Sequence, residues 1–315
     1  MLPSTANSLR LFRLFGVQVF IHWSWFIVAA YEISNRRTSY SSLGWNALEY
    51  IGLFAIVLTH EFGHALATIQ VGGKADRIVL WPFGGVAVVS APPRAGAQLW
   101  AIAAGPLVNV LLIPVFFGIR YLAARQGWDE TMPDLAALVQ SLSFINLVLL
   151  IFNVLPIYPL DGGQILRSVL WFPFGQARSL TIAAWVGFVG LGLFVLLIGF
   201  AAYSKGGTAY GLLWQLFIVF MLFQNCAAAL KSGRALRQLE LMPRHAGFVC
   251  PSCRASPPQG PVYACARCQH GFDPFSANGV CPNCSNRVNL IPCFNCGNVH
   301  TLSDWNKDTP PHADI

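Results

Sequence analysis

His60-Glu61-Phe62-Gly63-His64 carries the clearest chemistry in the chain. Two histidines four residues apart fall on one face of a helix, one turn apart, where both imidazoles can grip one zinc ion. Glu61 beside them is placed to act as general base towards a water that the metal activates. A catalytic zinc takes three protein ligands and leaves one position open, so a third ligand is expected from another apolar region. Asp161, in Pro156-Ile157-Tyr158-Pro159-Leu160-Asp161-Gly162-Gly163, is the outstanding candidate. Two prolines break the helix before it and two glycines let backbone approach closely. The competing readings are a helix end whose His and Glu snorkel to an interface and an Asp161 that caps the helix starting at Gly162.

A second set of metal-ligating residues crowds the last quarter of the chain. Cys250/Cys253, Cys265/Cys268, Cys281/Cys284 and Cys293/Cys296 share the C-x-x-C spacing of a zinc knuckle, and two knuckles complete a tetrahedral four-thiolate site. The simplest grouping joins consecutive knuckles: Cys250, Cys253, Cys265 and Cys268 on one structural zinc, Cys281, Cys284, Cys293 and Cys296 on another. A cross-braced grouping is the alternative. Such sites have no open position, and the metal would supply the folding energy of a domain too small for a good core. Disulfides are the competing use of these thiols, which a reducing compartment disfavours.

Both sets have to be positioned by the rest of the chain, which reads as a membrane protein. Only 10% of its residues are charged and 55% are hydrophobic, with mean hydropathy +0.54, against about 25% charged in a soluble domain. Apolar runs long enough to cross about 30 Å of hydrocarbon are expected at roughly 17–34, 45–71, 97–119, 135–156, 179–202 and 208–230. The first is read as a retained helix rather than a signal peptide, and 161–174 as a helix start or interfacial turn. Between the second and third runs, Asp76 to Ser90 is rich in β-branched residues around Gly84-Gly85, a hairpin signal. The fold class is therefore a polytopic α-helical membrane protein of about six transmembrane helices, with a short membrane-associated β-hairpin and a small cysteine-rich zinc-ribbon domain. The expected division is 1–235 for the membrane domain, 236–247 for a juxtamembrane linker, 248–305 for the double ribbon and 306–315 for a disordered tail. The formal net charge of +7 informs first about topology. Arg10, Arg13, Lys74, Arg77, Arg94, Arg167, Arg178, Lys231, Arg234, Arg237 and Arg244 fall on one side, which places both termini in the cytoplasm by the positive-inside rule.

Together the motifs resemble the site-2 protease family of intramembrane metalloproteases. His60-Glu61-Phe62-Gly63-His64, Gly105-Pro106-Leu107-Val108-Asn109 and Pro159-Leu160-Asp161-Gly162-Gly163 occur in that family's order, and Val17-Gln18-Val19-Phe20-Ile21-His22-Trp23 looks like the first-span signature of its bacterial branch. The resemblance covers about residues 8 to 230. It implies a bacterial inner-membrane enzyme that hydrolyses peptide bonds in or near transmembrane segments of protein substrates. His60, His64 and Asp161 would be ligands of one catalytic zinc, and Glu61 the acid/base. Gly84 and Gly85 would belong to a substrate-presenting hairpin. Asn109 matches a polar residue near the active site that could serve an oxyanion or clamp the substrate strand, or simply join two helices. Asn153 could satisfy backbone freed by the prolines or help bind the unwound substrate. The chain departs from the family at its C-terminus, where regulatory domains common in bacterial members give way to the ribbon-like extension.

Two other functions compete. A non-catalytic scaffold or zinc sensor would act through its ribbons, but a dead enzyme would be expected to lose part of the His-Glu-His-Asp set. A zinc transporter would spread acidic and His positions along a path, and here they concentrate. The ribbons are expected to recognise a regulatory protein rather than nucleic acid, because their local charge is unremarkable. Lys231, Arg234, Arg237 and Arg244 suggest a basic helix touching the lipid bilayer.

Overall fold

In the computed structural model the described residues are 8–35, 40–81, 84–205 and 209–306. Strands β1 (Ser8–Leu14) and β2 (Val17–His22) lead into helix α1 (Ser24–Asn35) and the long helix α2 (Leu43–Gln70); strands β3 (Lys74–Trp81) and β4 (Gly84–Ser90) follow. Then come α3 (Ala95–Arg125), the single turn α4 (Trp128–Thr131), α5 (Pro133–Val154), α6 (Asp161–Lys205) and α7 (Ala209–Leu241). Helix α6 is kinked at Gly175, whose φ of 77° and ψ of 173° are not helical. The leg before the kink is the short piece 161–174 that the sequence sets apart. Among the described residues, five helices are long and apolar enough to cross a membrane: Leu43–Gln70, Ala95–Arg125, Pro133–Val154, Asp161–Phe200 and Gln215–Leu241. Phe117 on α3 and Val189 and Phe200 on α6 stand exposed, as apolar residues do where lipid rather than water is the solvent.

The expected first span is not a single helix. Val17 to His22 alternates in burial, pairs antiparallel with β1 and parallel with β3, and so follows the period of two of a strand. Helix α1 contributes only 12 residues, about 18 Å of rise. β2 lies beside β3, which follows the C-terminal end of α2, while the N-terminal end of α2 is about 40 Å away. The start of α1 packs on α2, with the Trp25 and Phe54 rings 5.8 Å apart and the Tyr50 hydroxyl donating to the Trp25 carbonyl at 2.7 Å.

The four strands form one sheet in the order β1-β2-β3-β4, with β4 at an edge. Val17, Val19, Ile21, Ile78 and Leu80 pack on Phe62 and Ala65 of α2, so the sheet rests on the turn that carries the His motif. The glycine pair is not the hairpin turn. Gly84 pairs with Trp81 and Gly85 with Leu80, which makes both glycines the start of β4. Pro82 and Phe83, between the strands, lie outside the described residues.

The cysteine-rich segment holds two small antiparallel pairs, β5 (Tyr263–Ala264) with β6 (Gly271–Phe272), and β7 (Leu290–Pro292) with β8 (Val299–Thr301). Tyr263, Phe275, Ile291 and Trp305 are its buried centre. Phe248 bridges Asn306 and the Val249 amide donates to the Trp305 carbonyl at 2.7 Å, which draws the two ends of the segment together. Helix α7 runs on through residue 235 to Leu241. The expected tail beyond 306 lies outside the described residues.

Candidate metal centre

His60, Glu61 and His64 are held in the last third of α2 by residues that let a second helix come close. A Cβ at Gly63 would meet the Ala104 carbonyl of α3 at 2.7 Å, and one at Gly105 would run into the imidazoles of His64 and His60. These two glycines are why α3 lies directly against the His pair. Asp161 arrives from the opposite direction at the start of α6. Gly162 and Gly163 behind it pack so tightly on the backbone of Val154 and Ile157 that a side chain at either would collide.

The three groups converge. His60 Nε2 and His64 Nε2 are 3.1 Å apart, and Asp161 Oδ2 lies 3.1 Å from the first and 3.3 Å from the second. His60 is 4% exposed and Glu61 7%. The Nδ1 of His64 faces the Ala101 carbonyl at 2.9 Å, and that of His60 faces Asn109 Oδ1 at 2.5 Å. Both partners are acceptors, so both Nδ1 atoms must carry the proton. Both Nε2 atoms then present bare lone pairs to each other and to a carboxylate oxygen that has no hydrogen-bond partner of its own. With both imidazoles neutral, three acceptors gathered in an apolar interior repel unless a cation sits among them. Ligands of tetrahedral zinc at about 2.0–2.2 Å stand roughly 3.3 Å from one another, so the spacing and chemistry of the three atoms fit the ion.

Other expected residues fall in different places. Asn109 is fully buried. Besides His60, it donates through Nδ2 to Asn146 Oδ1 at 2.8 Å, so its amide is engaged between helices. Asn153 is half-buried in the last turn of α5 and does not join this chain. Asn146 does, and sequence reasoning missed it, although an asparagine in the apolar run Phe144-Ile145-Asn146-Leu147-Val148 is itself a signal. The β4 edge, which Gly84 and Gly85 begin, belongs to the sheet lying on α2.

The cysteines are all free thiols, and they group in a nested order that corrects the consecutive one. Cys250, Cys253, Cys293 and Cys296 form one cluster, and Cys265, Cys268, Cys281 and Cys284 the other. The first knuckle pairs with the fourth and the second with the third, because the inner pair closes around the short connection between them while the two ends of the segment meet. Sulfur–sulfur separations of 3.6–3.7 Å match the roughly 3.8 Å edge of a tetrahedron of Zn–S bonds near 2.3 Å. All four knuckles are one turn repeated. The amides of Arg254, Gln269, Ser285 and Gly297 donate back to the carbonyls of Cys250, Cys265, Cys281 and Cys293 at 2.9 Å. Each of those four residues has positive φ, a conformation that costs the three non-glycines about 1–2 kcal/mol apiece. The backbone amide of His270 is the largest influence holding the Cys268 thiol down to about 6, which suits a thiolate ligand. Burial pushes Cys293 up, and the neighbouring Cys250 and Cys253 sulfurs push in the same direction.

The model of peptidase family M50 matches residues 49–132 and 124–197. YwhC of Bacillus subtilis is 30% identical over 179 residues, covering 47% of this chain and 80% of YwhC. The chain belongs to peptidase family M50. A zinc metalloprotease of Methanocaldococcus jannaschii is 36% identical over 192 residues, 61% of this chain and 54% of that protein; the present chain thus spans about half the length of that M50 relative. The solved structure of a site-2 protease from the same organism superposes with a TM-score of 0.50 at 29% identity, covering 71% of this chain and 95% of the other. This M50 chain is therefore an integral, multi-pass helical protein with a cysteine-rich extension suited to zinc ribbons.

Proposed function

We propose that the chain is a zinc endopeptidase that hydrolyses peptide bonds in or near transmembrane segments of membrane proteins. The observation that carries this reading is the convergence of His60 Nε2, His64 Nε2 and Asp161 Oδ2, three metal-ligating atoms within the helices of a membrane protein. In this reading these atoms hold the ion. Zinc bound there supplies Lewis-acid polarisation of the scissile carbonyl and of the attacking water. Glu61 takes a proton from that water as its oxygen bonds to the carbonyl carbon, and delivers it to the nitrogen as the C–N bond breaks. A helical substrate hides its peptide bonds in hydrogen bonds and has to unwind first. The open edge of β4 offers backbone donors and acceptors for the unwound strand. In the same reading each cysteine cluster holds one structural zinc, and the ribbon segment is a separate unit that binds a regulatory protein. The termini face the cytoplasm across a bacterial inner membrane. Arg10, Arg13, Lys74 and Arg77 all belong to the one sheet, and they gather on that side with the basic end of α7.

The decisive experiment compares membrane proteomes of cells carrying the active chain and Glu61→Gln. A single-pass protein that accumulates intact only with the variant is the expected result. Equal cleavage of every membrane protein with both would remove Glu61 from its role.

A further inference from the structure

The two histidines reach the same tautomer by different routes, and the difference assigns work to a residue outside the proposed ligand set. His64 donates directly to a backbone carbonyl, that of Ala101. His60 is met by a side-chain amide, which can present either oxygen or nitrogen. Something has to decide which. Asn146 Nδ2 donates to the backbone carbonyl of Asn109 at 3.0 Å, and a carbonyl can only accept. That fixes the nitrogen of Asn146 on this side and its Oδ1 on the other. Oδ1 then requires a donor, so Asn109 must turn its Nδ2 towards Asn146. The Oδ1 of Asn109 is left facing His60 Nδ1. Asn109 is 0% exposed, Asn146 1% and His60 4%, so no water is available to reverse any of these bonds. Burying two amides in apolar helices is costly unless every group is paired, and this chain of bonds uses each amide on both of its ends.

We propose that Asn146 is a positioning residue for the metal centre: through Asn109 it sets the direction of a hydrogen-bond relay that starts at a backbone carbonyl and ends by presenting the lone pair of His60 Nε2 to the metal. The proposal rests on the zinc reading above. It assigns Asn146 no contact with substrate or with the reacting atoms.

The test uses the full chain, purified in detergent and loaded with ¹¹³Cd, whose resonance separates nitrogen and oxygen ligation from thiolate ligation. In the wild-type protein, ¹⁵N-labelled histidine should show His60 protonated at Nδ1 and metallated at Nε2. Asn146→Leu, which keeps the branched shape and removes the relay, should release the nitrogen- and oxygen-ligated cadmium at about tenfold lower chelator concentration, at the lower end of the 10–100-fold typical of partners behind a ligand. The thiolate resonances should not move. Asn146→Asp, neutral and able to donate when protonated in this apolar setting, should approach the wild-type affinity measured at the same pH as pH is lowered. Three results would overturn the proposal: His60 metallated through Nδ1, unchanged cadmium release in Asn146→Leu, or an Asn146→Asp variant as weak as the leucine variant at every pH. Absence of any nitrogen- and oxygen-ligated cadmium in the wild-type protein would instead remove the zinc reading itself.

Discussion

The His60 cluster and the cysteine clusters both gather buried ligand atoms at tetrahedral spacing, yet they are built in opposite ways. The cysteine clusters present four sulfurs each, bring them from one repeated turn and close the coordination sphere. The other cluster presents two imidazole nitrogens and one carboxylate oxygen, brought from two helices, with a third helix orienting them. A closed sphere can hold a fold together but cannot admit a substrate; three ligands from two helices leave a corner for water. The surroundings differ in kind as well. Backbone N–H groups point at the cysteine sulfurs, as the Asn295 amide does at 3.4 Å from Cys293, and favour thiolates. Acceptors point at the histidines, and so favour imidazoles whose free nitrogen is a ligand.

If that contrast is right, the two kinds of site fail differently. Glu61→Gln should lower cleavage of a membrane substrate by about 10³-fold, within the range for losing a general acid/base, while total zinc, measured by mass spectrometry, stays at its wild-type value. Zinc lost in step with activity would make Glu61 a determinant of the metal instead. Asp161→Asn should lower zinc affinity of the His60 site by more than the roughly 100-fold upper end seen for groups behind a ligand. The thiolate charge-transfer bands of cobalt-substituted protein should be unchanged, and any change in them would deny that the sites are independent.

The line between what the residues announce and what they hide follows this same contrast. His60, His64 and Asp161 were readable because each motif is local, and only its meeting with the others is long-range. The strand Val17–His22 was not read as such, because an apolar run of that length suits a helix or a strand equally; its partners β1 and β3 decide, and β3 lies more than fifty residues away. Gly84-Gly85 resembles a turn because glycine pairs often form one, whereas the register pairs both glycines with the end of β3. Asn146 carries no motif, and only its contact with Asn109 shows its importance. The knuckles were legible one by one, but their grouping depends on chain closure by Phe248 and Asn306, which spacing does not encode.

The nested order makes a sharper demand on the ribbons. Cys250→Ser and Cys293→Ser should each abolish the same half of the cobalt–thiolate absorbance, and the double variant should lose no more than either alone. Cys250→Ser with Cys265→Ser should abolish both halves. A non-additive 250/265 pair would restore the consecutive grouping. Proteolysis should be faster in each single variant, since metal binding supplies the folding energy of such small units.

The smallest expected effect tests whether the ribbon relies on its metals alone. Asp273 accepts from the Gly260, Phe275 and Ser276 amides and pairs with His245 at 2.8 Å. Burial acts to raise its carboxyl, but the Gly260 amide and His245 outweigh it and hold the group below the ordinary carboxylate range. A depressed folded value means that the carboxylate stabilises the fold in full above the unfolded pKa near 4. That contribution fades as pH falls through the folded value. Asp273→Asn should therefore lower the ribbon's resistance to proteolysis at neutral pH by a modest factor, and the difference from wild type should shrink as pH falls below about 4 and vanish only below the depressed folded value. A variant indistinguishable from wild type at neutral pH would mean that the eight sulfurs and their metals hold the segment without this anchor.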